Sequence, residues 1–233
     1  MSDIGVLIPA AGKGSRMGRE INKQFINILE KPIIYHTIKS FLDWRGDFEL
    51  KIVLHPQEID YFKKEIYPLF ANKKLKQDDF SIELIAGGQS RKESVYNGLQ
   101  SFSESVNYVI IHDGARPLLR PELIEKAYQA VKKYGAVSCG IKVKDTIKIV
   151  ENSFSRETLN RDKLRAIQTP QAFKLDLIKK AHQSYNKQKA LDDASLVEEF
   201  GEEVYIVDGD YNNFKITTPE DLKPAEIILK ERN

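Results

Sequence analysis

Ile4-Gly5-Val6-Leu7-Ile8-Pro9-Ala10-Ala11-Gly12-Lys13-Gly14-Ser15-Arg16-Met17-Gly18 lies at the start of a chain of 233 residues. Ile4, Val6, Leu7 and Ile8 form the short apolar run of a strand covered on both faces, and Pro9 ends it. The small residues that follow let the backbone turn sharply and press its N–H groups against an anion. Arg16 within the loop and Lys23 beyond it add full positive charges. The spacing of Gly12, Gly14 and Gly18, G-x-G-x-x-x-G, is neither the dinucleotide fingerprint nor a Walker A loop, which closes on Lys-Ser or Lys-Thr. Its chemistry points to phosphate, and the rest of the chain must say which kind.

Working outward, strand and helix alternate. Ile33, Ile34, Thr37, Ile38, Phe41 and Leu42 recur at helical spacing behind Pro32, which suits a first turn. Lys51 to Leu54 reads as a strand ended by His55-Pro56, and Ile59, Phe62, Ile66, Leu69 and Phe70 mark the next helix. Residues 71–81 read as a polar loop. Ile82 to Ala86 is a third strand, and Gly87-Gly88-Gln89-Ser90-Arg91 leads into a helix with capping-box spacing at Ser90 and Glu93. Tyr108 to Ile111 runs into His112-Asp113-Gly114-Ala115-Arg116-Pro117, at the strand end where open parallel sheets bind ligands. A helix from Pro121 to Tyr134 stops at Gly135, and Ala136 to Val143 is again a strand. The alternation predicts a doubly wound α/β sheet.

From Asp145 to Arg165 short alternating pieces predict a protruding β-arm instead. Thr169-Pro170-Gln171 returns the chain to the body, a helix covers about Leu175 to Gln188, and Asp192 or Asp193 caps a shorter one. Val204 to Val207 and Phe214 to Ile216 read as late strands, and Thr217 or Thr218 before Pro219 starts the final helix.

Composition narrows the function. Hydrophobic residues at 41% and charged residues at 30% are ordinary globular values, and nothing resembling a linker divides the chain, so one domain over 1–233 is expected. A formal charge of +2 argues against nucleic acid or an anionic membrane as the main partner. The lone Cys139 reads as a small core residue, and no apolar run is long enough to span a bilayer. With Met1-Ser2-Asp3 leading straight into a strand, a cytoplasmic protein is expected.

Several separated segments together resemble the 2-C-methyl-D-erythritol 4-phosphate cytidylyltransferases of the non-mevalonate isoprenoid pathway. They are the Pro9 to Gly18 loop with Lys23-Gln24-Phe25, Gly87-Gly88 with Arg91 and Ser94, His112 to Pro117, Asp145-Thr146, Arg161, Thr169-Pro170-Gln171, Asp192 to Ser195, and Asn213 to Leu222. The resemblance covers nearly the whole chain. It implies a Rossmann-like nucleotidyltransferase sheet with helices on both faces and a protruding β-arm at about 145–165, a homodimer joined through the arms, CTP as donor, magnesium, and release of pyrophosphate. Two positions depart from the usual pattern: Gln89 stands where an acidic residue is common, and Asn22 where proline is.

Carried over residue by residue, the resemblance assigns Arg16, Lys23 and Lys215 to the catalytic cations, the last from a C-terminal strand. Pro9, Ala10, Ala11, Gly12, Gly14, Gly88, Gln89, Ser94 and Asp113 fall to CTP, with Gly88, Ser94 and the backbone of Ala10 and Ala11 reading the pyrimidine edge. Asp113 positions magnesium or a sugar hydroxyl; a helix N-cap is the bland alternative. Arg116, Thr146, Arg161 and Thr169 fall to methylerythritol phosphate, although Arg116 could simply pair with Asp113. His112 reads as packing, and Asp192 and Asp193 as helix capping. The rivals are a ribitol 5-phosphate cytidylyltransferase, a nucleotide-binding regulator without turnover, and an NAD-binding module. The Gly114-Ala115 pair and Asp192-Asp193-Ala194-Ser195 oppose the first, the three cations the second, and the missing G-x-G-x-x-G the third.

Overall fold

A computed structural model describes residues 2–12, 22–44, 47–71, 82–186 and 190–232. Gly14, Arg16 and Lys13 lie outside the described residues. β1 (Ile4–Pro9) is buried on both faces: Val6 and Ile8 point to one helical layer and Leu7 to the other, as the two-residue period of a strand requires. The hairpin β2 (Asn27–Ile28) and β3 (Lys31–Pro32) turns through Leu29 and Glu30, both at positive φ, before α1 (Ile33–Asp43). β4 (Glu49–Leu54) leads through the tight turn Pro56–Glu58 into α2 (Ile59–Tyr61), a π-helical stretch Phe62–Ile66 and α3 (Pro68–Ala71), so the predicted amphipathic helix is broken rather than regular.

β5 (Ile82–Ala86) and α4 (Arg91–Gln100) follow, then β6 (Tyr108–Ile111), α5 (Pro121–Tyr134) and β7 (Ala136–Lys142). Gly135, at φ +82°, ends α5 and donates its N–H to the Val131 carbonyl, as the sequence predicts. The arm is β8 (Lys148–Glu151) paired with β9 (Phe154–Thr158) across Asn152 and Ser153, whose positive φ angles are those of a two-residue hairpin turn. β10 (Arg165–Lys174), α6 (Leu175–Ser184), α7 (Asp193–Glu199), β11 (Tyr205–Asp208) and α8 (Leu222–Arg232) complete the chain.

The seven-stranded sheet has the order β11-β7-β10-β6-β1-β4-β5. All its pairings are parallel except those of β10, which runs antiparallel to both β6 and β7. This corrects the sequence reading twice. Residues 165–174 are a central strand rather than a return segment, and Phe214 to Ile216 is irregular, so Lys215 does not stand on a strand. One face of the sheet carries α1 and α5 with Phe41, Ile124 and Val131; the other carries α4, α6 and α7 with Leu99, Ile178 and Val197. α8 closes a smaller cluster with Ile28, Leu118 and Ile216. Cys139 is buried in the core, and no described helix is long and apolar enough to cross a membrane.

The contact that seats α4 on the sheet is made by Gly98. A Cβ there would stand 2.3 Å from Leu7 Cδ1 and 2.9 Å from Val53 Cγ2, so α4 lies against β1 and β4 only because the side chain is missing. Gly98→Val is therefore expected to destabilise the protein by about 1–3 kcal/mol, the usual cost of overpacking. Urea unfolding would measure it, and an unchanged midpoint would show that the core yields more easily than this packing implies.

Candidate active site

The carboxyl ends of β1, β4, β5 and β6 open onto a cleft of about 740 Å³. Its floor is backbone. The end of β1 is stitched to its neighbours by Ala10 N–H to the Val53 carbonyl at 2.7 Å and Gly114 N–H to the Pro9 carbonyl at 3.3 Å. Gly87 donates to the Leu54 carbonyl at 2.7 Å, and a Cβ on it would lie 2.6 Å from Ala11 Cβ, so the second glycine turn can close on the first loop only as glycine. The cleft draws together the expected Pro9, Ala10, Ala11 and Gly12 with Lys23, Gly88, Gln89, Ser94, Asp113 and Lys215.

At Gly88 and Ser94 the structure adds a detail. Gly88 N–H donates to Ser94 Oγ at 3.1 Å, and that hydroxyl donates to the Ser90 carbonyl at 2.8 Å. Two groups expected to face a pyrimidine thus bind each other and shape the turn. The capping box is half formed: Ser90 Oγ accepts from Glu93 N–H, while Glu93 Oε2 reaches the Gln89 N–H at 2.8 Å instead. The Gln89 backbone N–H is therefore occupied within the turn.

Asp113 is the electrostatic centre. It is 9% exposed, with Lys215 Nζ at 3.0 Å and Arg116 Nε at 3.3 Å from Oδ2, and Arg91 Nη2 at 3.9 Å from Oδ1. Burial alone would raise its pKa, but Lys215, Arg91 and Arg116 outweigh burial and hold the carboxyl well below the usual range. It is an ion-pair hub and does not cap a helix. Lys215 reaches it from an irregular segment pinned by Ile216 N–H to the Ala115 carbonyl at 2.9 Å and by buried Asn213, whose side chain donates to the Thr169 carbonyl at 2.8 Å. Across the cleft, Lys23 Nζ donates to the Ile216 carbonyl at 3.2 Å.

Behind Asp113 runs a buried relay. Asp113 N–H donates to Thr169 Oγ1 at 3.0 Å; that hydroxyl lies 3.1 Å from His112 Nδ1, and His112 Nε2 lies 3.1 Å from the Arg116 carbonyl. A carbonyl accepts only, so Nε2 carries the proton and Nδ1 accepts from the threonine. Burial pushes His112 down to about 4, which keeps the ring neutral, a hydrogen-bonded link rather than a charged group. Thr169 stands in a bulge: β10 shifts register against β7 between Gln168 and Gln171, where Pro170 has no N–H to offer the ladder.

A second cavity of about 480 Å³ adjoins the first, sharing Arg91, Asp113 and Lys215 as its wall. Arg116 and Thr169 line it, whereas Thr146 and Arg161 line neither cavity; Arg161 donates to the Lys144 carbonyl at 3.0 Å on the exposed arm. Sequence reasoning gave no role to Arg91 and understated Asp193. Arg91 Nη2 binds Asp193 Oδ2 at 2.7 Å, and the other oxygen of this fully buried carboxylate lies 3.3 Å from His182 Nε2. Asp192 does cap α7, as expected, with Ser195 completing the box. The signal that could have revealed Asp193 is its place directly after a residue already sufficient as the cap.

Residues 4–231 match the family model described as 2-C-methyl-D-erythritol 4-phosphate cytidylyltransferase. Among proteins so named, that of Clostridium perfringens is 46% identical over 99% of this chain and 100% of its own length, and that of Alkaliphilus oremlandii is 43% identical over 100% and 97%. The crystal structure of 4-diphosphocytidyl-2C-methyl-D-erythritol synthase from Anaerococcus prevotii superposes with a TM-score of 0.83 at 31% identity, over 98% of this chain and 99% of that one. That of the Thermus thermophilus cytidylyltransferase gives 0.76 at 29% identity, with the same coverage.

Removing Asp193 takes from Arg91 its nearer carboxylate and from buried His182 its hydrogen-bond partner. Breaking such a pair costs about 3–5 kcal/mol when both partners are buried, and Arg91 retains about a third of its exposure, so Asp193→Ala is expected to cost about 3 kcal/mol. Burial opposes the ionised form of Asp193, but Arg91 and His182 lower its pKa below the ordinary 3.8, so this contribution is present above pH 3.8 and is lost as the pH falls below it. Denaturant unfolding of wild type and variant from pH 7 to pH 3 should show the gap narrowing only at the acid end. A gap that is constant with pH would assign the loss to packing.

Proposed function

We propose, from the premise that this chain belongs to the 2-C-methyl-D-erythritol 4-phosphate cytidylyltransferase family, that it transfers a cytidylyl group from CTP to 2-C-methyl-D-erythritol 4-phosphate in isoprenoid precursor biosynthesis. The observation that carries this is the match over residues 4–231. The cation-rich cleft is what such chemistry needs. A phosphate oxygen of the acceptor attacks the α-phosphorus of CTP, the bond from that phosphorus to the bridging oxygen breaks, and pyrophosphate leaves. A phosphomonoester is largely ionised near neutral pH, with a second pKa of about 6, so no general base is required. Catalysis then rests on alignment and on cations facing the growing charge.

In this reading Lys23, Lys215 and Arg16 face the triphosphate and the transferring phosphorus. Ala10, Ala11, Gly12, Gly14, Gly88, Gln89 and Ser94 hold the nucleotide, and Arg116 and Thr169 take the acceptor in the second cavity. Arg91, shared by both cavities, links the two. Among the described residues no group of three His, Cys, Asp or Glu side chains could hold a metal, and Glu93 is taken up by the Gln89 amide. The described residues offer no cage for an ion of their own, and magnesium carried on the nucleotide phosphates would suit this cleft, where Asp113 is the carboxylate that could help to hold it. Such an ion would spread the negative charge of the triphosphate.

The assay is pyrophosphate release from CTP with Mg²⁺, run in parallel with methylerythritol phosphate and ribitol 5-phosphate. Strong preference for the first is expected, and Lys23→Ala should lower turnover about 10²-fold, the common cost of one transition-state contact, with little change in thermal stability, whereas Lys215→Ala should lower both, because it also takes the nearest cation from buried Asp113. Equal or inverted preference would overturn the assignment.

The arm is proposed to join two chains, each carrying Thr146 and Arg161 to its neighbour's second cavity. Arg161→Ala and Lys23→Ala would then damage a site from different chains, and a mixed dimer would hold one site hit twice and one intact. Each variant alone should be weak, and refolding the two together should restore a substantial fraction of activity. Mixed dimers seen by mass that recover nothing would place Arg161 in the site of its own chain.

A further inference from the structure

Lys23 is a long side chain on a short 3-10 turn, Lys23–Phe25, with no side-chain cap at Asn22. The far end of the side chain rests on the Ile216 carbonyl, and one carboxylate fixes the turn at its root. Glu58 closes the Pro56–Glu58 turn after β4, held there by its own N–H to the His55 carbonyl at 2.8 Å. Its Oε1 accepts from Asn22 Nδ2, and its Oε2 accepts from Gln24 Nε2 at 3.3 Å. The same Gln24 nitrogen donates to the Ala10 carbonyl at 2.7 Å, and Gln24 is buried. The residues on both sides of Lys23 are thus gripped by the two oxygens of one side chain and tied to the end of β1, whose loop forms the cleft floor.

We infer that Glu58 is a positioning residue for Lys23: its carboxylate brackets Asn22 and Gln24 so that the lysine is presented across the nucleotide cleft. This deepens the proposed function and rests on its placing Lys23 against the triphosphate. The chemistry of the bracket is specific. A carboxylate accepts on both oxygens, while both partners present amide N–H groups. Glu58→Gln keeps the shape but replaces the charged double acceptor with a neutral amide, so both contacts lose their charge assistance and Asn22 must turn its own amide over to keep one of them.

The test is a double-mutant cycle of wild type, Glu58→Gln, Lys23→Ala and the combination, reading kcat and KM for CTP by pyrophosphate release, with melting temperature alongside. Small misplacements of a catalytic group can cost up to about 10²-fold. Glu58→Gln is expected to lower kcat/KM about tenfold beside Lys23 and less than about twofold beside Ala at that position, because the bracket then has nothing to aim. Equal losses in both backgrounds, or none in either, would overturn the inference. Should Glu58→Gln fail to fold, Asn22→Ala opens one arm and leaves the Gln24 contact; about a threefold loss that vanishes with Lys23→Ala supports the bracket, and an additive loss removes it. If wild type itself releases no pyrophosphate, the proposed function fails. The bracket is then read from CTP affinity by calorimetry, where Glu58→Gln should weaken binding about tenfold only in the presence of Lys23, and equal affinities would overturn it.

Discussion

An ionised carboxylate almost cut off from water is unstable unless cations surround it, and Asp113 has three: Lys215, Arg116 and Arg91. They arrive from different parts of the chain: Arg91 opens α4, Arg116 follows the turn after β6, and Lys215 comes near the C-terminus. The cluster therefore exists only when the sheet, α4 and the C-terminal segment are all in place. The dependence runs both ways, since without Asp113 three like charges would crowd one strand end. Asp193 offsets part of the excess through Arg91, yet Lys23 adds to it, with its ammonium on the Ile216 carbonyl next to Lys215. A site left with surplus positive charge after its own carboxylates are counted suits a polyphosphate.

The antiparallel strand β10 is what makes the site two-sided. A purely parallel sheet would put the carboxyl end of each neighbour along one edge. β10 instead runs back between β6 and β7, and its bulge delivers Thr169 to the Asp113 amide and to His112 at the level where the cations gather. Two residues beyond Thr169, Gln171 accepts from the Asp193 and Ala194 N–H groups with one side-chain oxygen and donates to Ser138 and Asp192. The N-terminus of α7, with Asp193 in its first turn, is thereby docked to the sheet and holds Arg91 from behind. The two cavities share a wall because one strand braces it.

These devices explain which parts of the sequence could be read. The buried run at Ile4 to Ile8, the glycine stop after α5 and the hairpin arm rest on local rules, and the structure agrees with them. β10 resisted because Arg165 to Lys174 mixes charged, polar and proline residues: its pairing is set by two neighbouring strands, and its bulge hides the alternation. Phe214 to Ile216 failed oppositely, apolar enough to suggest a strand although Ile216 is buried against α8 and Lys215 is turned to the cleft. Lys23 and Lys215 could be named from the resemblance, but Glu58, Arg91 and Asp193 act by gripping other side chains, and no local spacing encodes a grip across the fold.

The arm completes the argument from the outside in. Every residue of β8 and β9 is exposed, with Val150 at 58% and Phe154 at 69%, and Ile167 at its foot is exposed as well. A two-stranded ribbon with open edges and apolar tips is a poor solution for a chain on its own, since it gains little burial and invites strand addition. Meanwhile the second cavity has Arg116 and Thr169 on its wall but neither Thr146 nor Arg161, which stay out on that ribbon with Arg161 bonded only to nearby backbone. The proposed dimer would answer both: another copy of the chain would cover the apolar ribbon and bring its Arg161 guanidinium to the cavity. On the proposed dimer, the surface that is costly to expose and the guanidinium assigned to the acceptor belong to the same stretch of sequence, residues 145–165.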